Sequence, residues 1–286
     1  MQWSPNSEPF FCTNYFIGII EVISIFKMNS ALSKSFSRAA KTYSDSAVAQ
    51  SSFADSLVTL VKHITYPRKI FEIGCGSGVM TEMLAKAFPG ASILAADISS
   101  EMVNVARERL GNNPNVTFEV ADLEKLVPAE YFDLIISNAM LHWVDDVHGL
   151  IEHLAPTIRR GGYFACASMI PGTLRELEKS RAISAPNKYS PWPYHSTGKL
   201  LEAVRLSNLS LVDAYKIDYS VEYPLAKDVI SSLRNTGVTN WPSNKERSPL
   251  LSRSEVRSLP QNYPQNNKGA YTASYRSAVV VARQEY

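Results

Sequence analysis

The sequence predicts an α/β fold with a seven-stranded, mostly parallel sheet and helices on both of its faces. The first observation is that short apolar runs alternate with segments of helical period between residues 69 and 169, which is typical of βαβ units in a parallel sheet. The second is that two strand-like runs occur late in the chain, at 211–219 and 271–282. We expect these two late strands to form an antiparallel pair that completes the sheet.

The parallel half is predicted from short apolar runs and from apolar residues that recur at a spacing of about 3.6. The strands are expected at 69–73, 92–96, 116–120, 132–137 and 163–169. The helices are expected at 31–60, 79–88, 100–110 and 147–159. Ser99 is a suitable N-cap for the helix at 100–110. Gly161-Gly162 is predicted to turn the chain into the fifth strand.

Residues 170–260 are predicted to include a helical cover, inserted after the fifth strand, over the carboxyl ends of the strands. Helical patterns occur at 171–208, interrupted by the Pro/Tyr/Trp-rich stretch 184–195, and again at 225–237 and 252–263. A polar loop is expected at 240–248. Folds of this kind bind ligands at the carboxyl ends of their strands, so we expect the cover to border the substrate.

The composition is that of an ordinary soluble globular domain, with 286 residues, 45% apolar and 20% charged. The net charge of +2 gives no overall field that would attract nucleic acid. The three cysteines, Cys12, Cys75 and Cys166, lack the spacing of a disulfide framework or a zinc site. We therefore expect a cytoplasmic protein that has no metal site and binds neither nucleic acid nor membrane.

Residues 1–27 differ from the rest of the chain. The stretch 10–26 is largely apolar, but it contains Asn14 and Glu21 and lacks the basic region and cleavage site of a signal peptide. Its length and its internal acid also make it a poor membrane span. We expect residues 1–27 to be a disordered extension and residues 28–286 to be the folded domain. An anchor to a membrane surface is the alternative.

The run Glu72-Ile73-Gly74-Cys75-Gly76-Ser77-Gly78 joins the first predicted strand to its helix. Glycines at alternate positions let the backbone approach a ligand closely. The second strand is followed by Asp97, whose carboxylate can accept hydrogen bonds from both ribose hydroxyls. These two features predict a site for a nucleoside-bearing ligand. A dinucleotide is disfavoured, because its fingerprint needs a glycine where this chain has Val79.

The glycine run resembles motif I of the class I S-adenosylmethionine-dependent methyltransferases, Glu/Asp-x-Gly-x-Gly-x-Gly. The resemblance puts Asp97 at the ribose and Asp122 at the adenine amino group, with the residue after each acid against the purine. Ser137 and Asn138 would lie beside the methyl group. The expected cofactor is therefore S-adenosylmethionine. Its expected binding residues are Tyr43, Gln50, Glu72, Gly74, Cys75, Gly76, Gly78, Asp97, Ile98, Asp122, Leu123, Ser137 and Asn138.

Four further segments resemble the malonyl-[acyl-carrier protein] O-methyltransferases of biotin synthesis, and the similarity covers about residues 31–284. The segments are 36–43 together with Gln50, 137–143, 171–177 and 233–238. The last two are more specific than motif I, which all class I methyltransferases share. The chain departs from the family pattern at His142, where the family has glutamine, and at Val238, where it has alanine.

This resemblance implies methyl transfer to the free carboxylate of malonyl-acyl-carrier protein or malonyl-CoA, giving the malonyl methyl ester for the pimeloyl branch of biotin synthesis. A carboxyl group with a pKa near ~4 is already ionised at neutral pH, so the reaction needs no general base and catalysis is positioning. The positioning candidates are Tyr43, His142 and Arg175. The candidates that bind the acceptor are Arg38, Trp143, Arg175 and Arg234.

The partner implied by the resemblance is an acidic carrier protein, and we expect the enzyme to be a monomer. Arg175, Lys179 and Arg181 form a small basic cluster. Contact with an acidic carrier and an ordinary exposed helix face explain that cluster equally well. Two other functions remain open. One is methyl transfer to another small carboxylic acid or a quinone, and the other is a non-catalytic scaffold that keeps the cofactor fold.

Overall fold

The computed structural model describes residues 47–122, 131–236 and 251–285. Several of the sequence predictions fall outside these ranges. They are the extension at 1–27, the beginning of the first helix, the polar loop at 240–248, and the site residues Arg38, Tyr43 and Leu123.

Within the described ranges the chain forms seven strands and eight α-helices. The strands are β1 (Lys69–Ile73), β2 (Ser92–Asp97), β3 (Val116–Val120), β4 (Phe132–Asn138), β5 (Ile158–Met169), β6 (Ser210–Tyr223) and β7 (Tyr271–Arg283). The helices are α1 (Val48–Ile64), α2 (Val79–Ala87), α3 (Ser100–Leu110), α4 (Val147–Leu154), α5 (Arg175–Ser184), α6 (Thr197–Leu206), α7 (Ala226–Asn235) and α8 (Arg253–Ser258). Short 3-10 turns occupy Leu141–Trp143, Ala155–Thr157 and Pro186–Lys188.

All seven strands belong to one sheet in the order β3-β2-β1-β4-β5-β7-β6. The first five are parallel, and β7 runs antiparallel to both β5 and β6. The predicted seven-stranded, mostly parallel sheet is therefore confirmed. The order reverses between β1 and β4, so the loops after these two strands diverge and leave a crevice at the carboxyl edge of the sheet.

The sheet is covered by apolar side chains on both faces, which is why its central strands are continuous apolar runs. On one face α1 and α2 pack over the sheet through residues such as Phe53, Leu57 and Leu84. On the other face α4 and α6 pack together through residues such as Leu150 and Leu200. The central strands are thereby held between two layers of helices, so the loops at their carboxyl ends start from fixed positions.

The helix predicted at 147–159 is wrong in its second half. The α-helix ends at Leu154, and a 3-10 turn that contains Pro156 follows it. Proline has no N–H to continue the helical ladder. Strand β5 begins at Ile158, which pairs with Phe132, so Gly161 and Gly162 lie at an irregularity inside the strand and do not precede it.

The region predicted as a cover is divided between two places. Helix α6 packs beside α4 against a face of the sheet. Residues before α6, and residues of α7, instead line a cavity at the carboxyl edge, as described below. The helix predicted at 252–263 is shorter than expected: Ser252 begins it with a capping box, and it ends at Ser258, shortly before Pro260.

No helix among the described residues has the length and apolar character to cross a membrane. In the same ranges, no three His, Cys, Asp or Glu side chains are grouped so that they could hold a metal ion.

Asp133 joins three strands at the amino edge of the sheet. Its Oδ2 accepts hydrogen bonds from the backbone N–H groups of Arg68 and Lys69, each at 2.8 Å, and its Oδ1 accepts one from Arg159 at 3.0 Å. Partial burial alone would raise the pKa of Asp133, but the two amides and the guanidinium outweigh it and hold the pKa below its usual range. The ionised carboxylate therefore stabilises the fold.

We predict that Asp133→Asn lowers the free energy of unfolding by about 1 kcal/mol at pH 7, because the charged acceptor is lost at a partly exposed site. A lowered pKa contributes stability above the ordinary aspartate value of about 4 and loses it as the pH falls through the folded-state value. The deficit of the variant should therefore shrink on acidification. Urea unfolding at pH 7 and pH 3 measures it, with Asp55→Asn on the exposed face of α1 as the control. An equal deficit at both pH values would contradict this account.

Candidate active site

Two adjoining cavities lie at the carboxyl edge of the sheet. The larger encloses about 660 Å³, counting its open mouth. It is lined by Ala47, Gln50, Ser51, Glu72, Gly74, Cys75, Gly76, Ser77, Val79, Met80, Asp97, Met102, Asn138, Ala139, Met140 and Trp143. The predicted glycine loop thus forms one wall of the crevice where the strand order reverses.

The loop after β1 has a backbone conformation that favours glycine at three positions. Gly74, Gly76 and Gly78 have φ angles of 73°, 52° and 77°. A side chain on Gly74 would overlap Met140, and one on Gly78 would come within 3.0 Å of the Ala106 backbone. A Cβ on Gly76 would meet no described atom within 4 Å, because this residue faces open space. Gly76 is therefore the point at which a ligand can approach the backbone.

Asp97 holds the glycine loop in place. Its Oδ2 accepts a hydrogen bond from the Gly76 N–H at 2.9 Å, and its Oδ1 accepts one from the Ser99 N–H at 2.9 Å. Burial raises the pKa of Asp97, and the backbone hydrogen bonds oppose that rise. The Ile98 amide also approaches this carboxylate. A carboxylate has about four lone-pair positions, so Asp97 can still accept a hydrogen bond from a ligand in the larger cavity.

Glu72 is a buried acid in the wall of the larger cavity, with only 1% of its surface exposed. Neither of its carboxylate oxygens has a hydrogen-bond partner among the described residues. Burial raises the pKa of Glu72 to about 8, the charge of Asp97 adds to the rise, and the nearby Thr81 hydroxyl opposes it. An acid held in this way favours a cationic ligand, which would supply the missing charge.

Asn138 and Gln50 connect β4 to α1 at the centre of the crevice. The Asn138 Nδ2 donates to the Gln50 carbonyl at 2.9 Å, while its Oδ1 is buried without a hydrogen-bond partner among the described residues. Ser137, by contrast, points away from both cavities, and its hydroxyl donates to the Ile73 carbonyl at 3.1 Å. The structure thus gives Ser137 a contact between β4 and β1, and its contact with a cofactor stays a prediction.

The smaller cavity encloses about 380 Å³ and adjoins the larger one through shared residues. It is lined by Gln50, Ala139, His142, Trp143, Met169, Leu174, Tyr194, Leu233, Thr236 and Tyr275. Three of these, Gln50, Ala139 and Trp143, also line the larger cavity. A ligand in one cavity would therefore lie next to a ligand in the other, with the end of β4 between them.

His142 is a buried titratable group in the wall of the smaller cavity. Its ring centroid is 5.0 Å from that of Trp143 and 5.8 Å from that of Tyr194. Burial lowers the pKa of His142 to about 3, and the neighbouring His195 adds to the fall. The imidazole is therefore neutral at physiological pH, where it can offer one donor and one acceptor nitrogen.

The two described arginines that the sequence assigned to the acceptor do not line the smaller cavity. Arg175 is the first residue of α5, its side chain is 61% exposed, and its Nε donates to Glu176 at 3.0 Å. Arg234 is exposed on α7. Among the described lining residues no Lys or Arg occurs, so the walls of this cavity are apolar, aromatic or neutral polar.

Of the remaining predicted site residues, Cys75 lines the larger cavity, whereas Ile98, Gly78 and Asp122 line neither cavity among the described residues. Ile98 follows β2 and is partly buried, and Asp122 is the last described residue after β3. Cys75 and Gly78 belong to the glycine loop, and burial raises the pKa of the Cys75 thiol well above its usual range. Their contacts with a cofactor stay predictions.

Sequence reasoning missed several lining residues of the smaller cavity. Tyr194 comes from the Pro/Tyr/Trp-rich stretch 184–195, for which the sequence predicts only a break between helices, and Tyr275 comes from β7. Thr236 ends α7, where its hydroxyl donates to the Leu233 carbonyl at 2.9 Å. The aromatic density of 184–195 was a usable signal, whereas nothing in the local sequence marks Thr236 or Tyr275.

Residues 71–166 match a family model described as a methyltransferase domain. Malonyl-[acyl-carrier protein] O-methyltransferase 1 of Ilyobacter polytropus is 32% identical over 235 residues, which cover 81% of this chain and 85% of that protein. A malonyl-[acyl-carrier protein] O-methyltransferase of Anoxybacillus flavithermus is 32% identical over 222 residues, 75% of this chain and 82% of that protein. The solved structure of the YcgJ protein from Bacillus subtilis shares the fold, with a TM-score of 0.58 at 15% identity, covering 81% of this chain and 99% of that one.

We predict that Gly76→Ala leaves the chain folded but weakens ligand binding in the larger cavity at least tenfold. The new methyl group projects into open space, and the positive φ costs about 1 kcal/mol in stability. Gly90→Ala is the matched control, because a Cβ there also meets no described atom within 4 Å, while its φ is ordinary. Calorimetry with S-adenosylmethionine and thermal unfolding measure the two effects. Unchanged affinity in Gly76→Ala would show that the ligand does not approach this residue.

The buried Glu72 carboxyl makes the free energy of unfolding depend on pH. The folded chain keeps the proton up to about pH 8, whereas the unfolded chain releases it above about 4.5. Stability is therefore lost as the pH rises between these values. We predict that Glu72→Gln is more stable than the parent by roughly 3 to 5 kcal/mol at pH 8 in the absence of ligand.

The gain should disappear below about pH 4.5, where glutamate is protonated and resembles glutamine. Denaturant unfolding between about pH 4.5 and pH 8 measures the difference in stability between the variant and the parent. Glu108→Gln, on the exposed face of α3, is the control. A variant that is less stable than the parent at pH 8 would refute the assignment of Glu72 as a destabilised buried acid.

Proposed function

This chain belongs to the malonyl-[acyl-carrier protein] O-methyltransferases, and from that membership we propose that it transfers a methyl group from S-adenosylmethionine to the free carboxylate of a malonyl thioester. The observation that carries the proposal beyond the family is the pair of adjoining cavities, which meet at Gln50, Ala139 and Trp143. The larger cavity is assigned to the cofactor and the smaller one, called the acceptor pocket from here on, to the malonyl group.

The residues of the larger cavity fit S-adenosylmethionine. The ammonium group and the ribose hydroxyls of the cofactor are hydrogen-bond donors, and the cavity offers acceptors to meet them. Glu72 and Asn138 each present a buried oxygen without a hydrogen-bond partner among the described residues. Asp97 keeps acceptor capacity beside Gly76, where the backbone is open. We assign Glu72 to the ammonium and Asp97 to the ribose.

When bound, the cofactor supplies a methyl group on a sulfonium sulfur, which keeps the electron pair of the broken carbon–sulfur bond. The protein contributes alignment: Asn138 and Ala139 end β4 between the two cavities, so they border the path from donor to acceptor. Trp143 walls both cavities and excludes water from that path. Charge is neutralised as the methyl group transfers to the carboxylate, and a dry pocket favours such a step.

The acceptor pocket suits a nucleophile that needs no base. Malonyl carboxylate is ionised at neutral pH, because carboxyl pKa values lie near ~4. His142 is neutral there, since its pKa is lowered to about 3. Neutral donors from His142 and Tyr194 orient the carboxylate without the tight ion pair that would reduce its nucleophilicity. Arg38 and Tyr43 remain proposed contributors from outside the described residues.

We further propose that the acyl group arrives on an acyl-carrier protein or on coenzyme A, that the enzyme acts as a monomer in the cytoplasm, and that its product enters the pimeloyl branch of biotin synthesis. The proposal for the compartment is supported by Cys75 and Cys166, which are buried, unpaired thiols as expected in a reducing environment.

One observation favours a second candidate, a related methyltransferase for another small carboxylic acid. His142 stands where the family pattern has glutamine, and it lines the acceptor pocket directly. A different side chain at position 142 changes both the hydrogen-bond donors that face the acceptor and the space that is left for it. The malonyl assignment is the stronger one, because it follows from similarity over most of the chain.

We predict that the protein methylates malonyl thioesters, leaves acetyl thioesters unmodified, and acts at least tenfold more slowly on succinyl thioesters. Acetyl lacks the acceptor carboxylate, and succinyl has an extra methylene that displaces it from the methyl carbon. Transfer of labelled methyl from S-adenosylmethionine to the three thioesters measures this. His142→Gln is the informative variant, because it introduces the residue of the family pattern while keeping a neutral side chain. A folded, cofactor-binding protein that methylates no malonyl thioester would refute the proposal.

A further inference from the structure

Two helices, α5 and α7, border the acceptor pocket. Beside each, a buried leucine that lines the pocket is followed directly by an exposed arginine. Leu174, at the N-cap of α5, and Leu233, in the last turn of α7, are buried and line the pocket. The next residue in each case, Arg175 or Arg234, is exposed. The two arginines predicted to bind the acceptor carboxylate are therefore outside the pocket, next to its wall.

Each helix carries a second cation on its outer surface. Lys179 is exposed one turn after Arg175 on α5, and Lys227 is exposed two turns before Arg234 on α7. These four residues, Arg175, Lys179, Lys227 and Arg234, are called the basic rim. Arg181 is not part of it, because its guanidinium stacks 5.6 Å from the Trp192 ring centroid and is half-buried.

Glu176 offsets part of the charge of Arg175, because its Oε1 accepts a hydrogen bond from the Arg175 Nε at 3.0 Å. Both acids of α5 are nevertheless turned towards the protein and away from Lys179. Glu176 accepts hydrogen bonds from the side-chain hydroxyl and the backbone N–H of Ser274. Glu178 accepts one from the backbone N–H of Trp192. The local composition agrees: residues 171–199 and 225–263 together contain eleven Lys or Arg and five Asp or Glu, against 29 and 27 in the whole chain. The two stretches of sequence that contain α5 and α7 are therefore richer in cations than the chain as a whole.

We propose that the basic rim docks an acidic protein surface, that of the carrier which bears the malonyl thioester. The inference rests on the proposed function and names its partner. The spacing favours a protein over a nucleotide: Lys227 and Arg234 are about 10 Å apart along α7, and the charges point outwards from two helices. A phosphate group would need donors that converge on one point. Separate outward charges instead steer an extended acidic face towards the pocket.

The test uses the double variant Lys179→Glu/Lys227→Glu, which changes no pocket residue. With malonyl thioester on an acidic acyl-carrier protein, kcat/KM should fall about tenfold or more, mainly through KM, because rim charges set the encounter rate. With malonyl-N-acetylcysteamine, a small thioester without a carrier, kcat/KM should stay within about twofold. The parent should lose activity on the carrier substrate, but not on the small thioester, as salt rises to 0.5 M.

Arg160→Glu is the matched control, because Arg160 is exposed at the opposite end of β5. It should leave both substrates unaffected. Arg175→Gln distinguishes two roles for this side chain. A fall in kcat/KM on the carrier substrate alone supports its place in the basic rim. An equal fall on the carrier substrate and on malonyl-N-acetylcysteamine would instead put the guanidinium at the acceptor carboxylate and remove Arg175 from the rim.

Malonyl-CoA separates the two kinds of anionic carrier. If the double variant loses as much on malonyl-CoA as on the carrier substrate, the rim binds nucleotide phosphates and the proposal is refuted. If it loses nothing on any substrate, the cations are only a solvated helix surface and the proposal is likewise refuted. Failure of the parent to methylate even malonyl-N-acetylcysteamine is a different result, since it would reject the proposed function itself.

Discussion

The hydrogen bond from the Gly76 N–H to the Asp97 carboxylate is the contact on which the rest of the site depends. The loop after β1 leaves the sheet through three glycines with positive φ, and it is held against β2 by Asp97 and by the Ala96 carbonyl, which accepts from the Gly74 and Cys75 amides. Because the loops after β1 and β4 diverge at the point where the strand order reverses, a crevice is left beside the glycine loop. The rigid helix layers on both faces of the sheet keep the crevice open.

The electrostatics of the crevice match a cationic donor and an anionic acceptor. Glu72 and Asp97 are both acids in the larger cavity, and burial penalises the charge on each. A sulfonium and ammonium ligand removes that penalty, so the empty cavity is less stable than the filled one. The acceptor pocket carries no such charge in its described walls, where the titratable His142 is neutral. An anionic acceptor is therefore attracted to the sulfonium of the cofactor in the larger cavity, with no charged side chain in the described pocket walls to compete for it.

Recognition is divided between the interior and the surface of the same few elements. Leu174 and Leu233 face the acceptor pocket, while the neighbouring Arg175 and Arg234 face solvent. The same short segments can therefore shape the pocket and meet the carrier. This division follows from helix geometry, in which consecutive residues point about 100° apart and cannot both enter one cavity.

The sequence by itself determined the alternation of strands and helices, the glycine loop with Asp97, and the family, because these depend on local periodicity, on backbone conformations that only glycine adopts easily, and on contiguous motifs. It misjudged the end of α4, where Pro156 stops the helix, although that signal was local. Only the tertiary structure decided which residues form the acceptor pocket, since Tyr194, Thr236 and Tyr275 come from distant segments that meet at one edge of the sheet. It likewise put Arg175 outside that pocket. The direction of a side chain depends on how its helix packs against the sheet, and no local pattern encodes that packing.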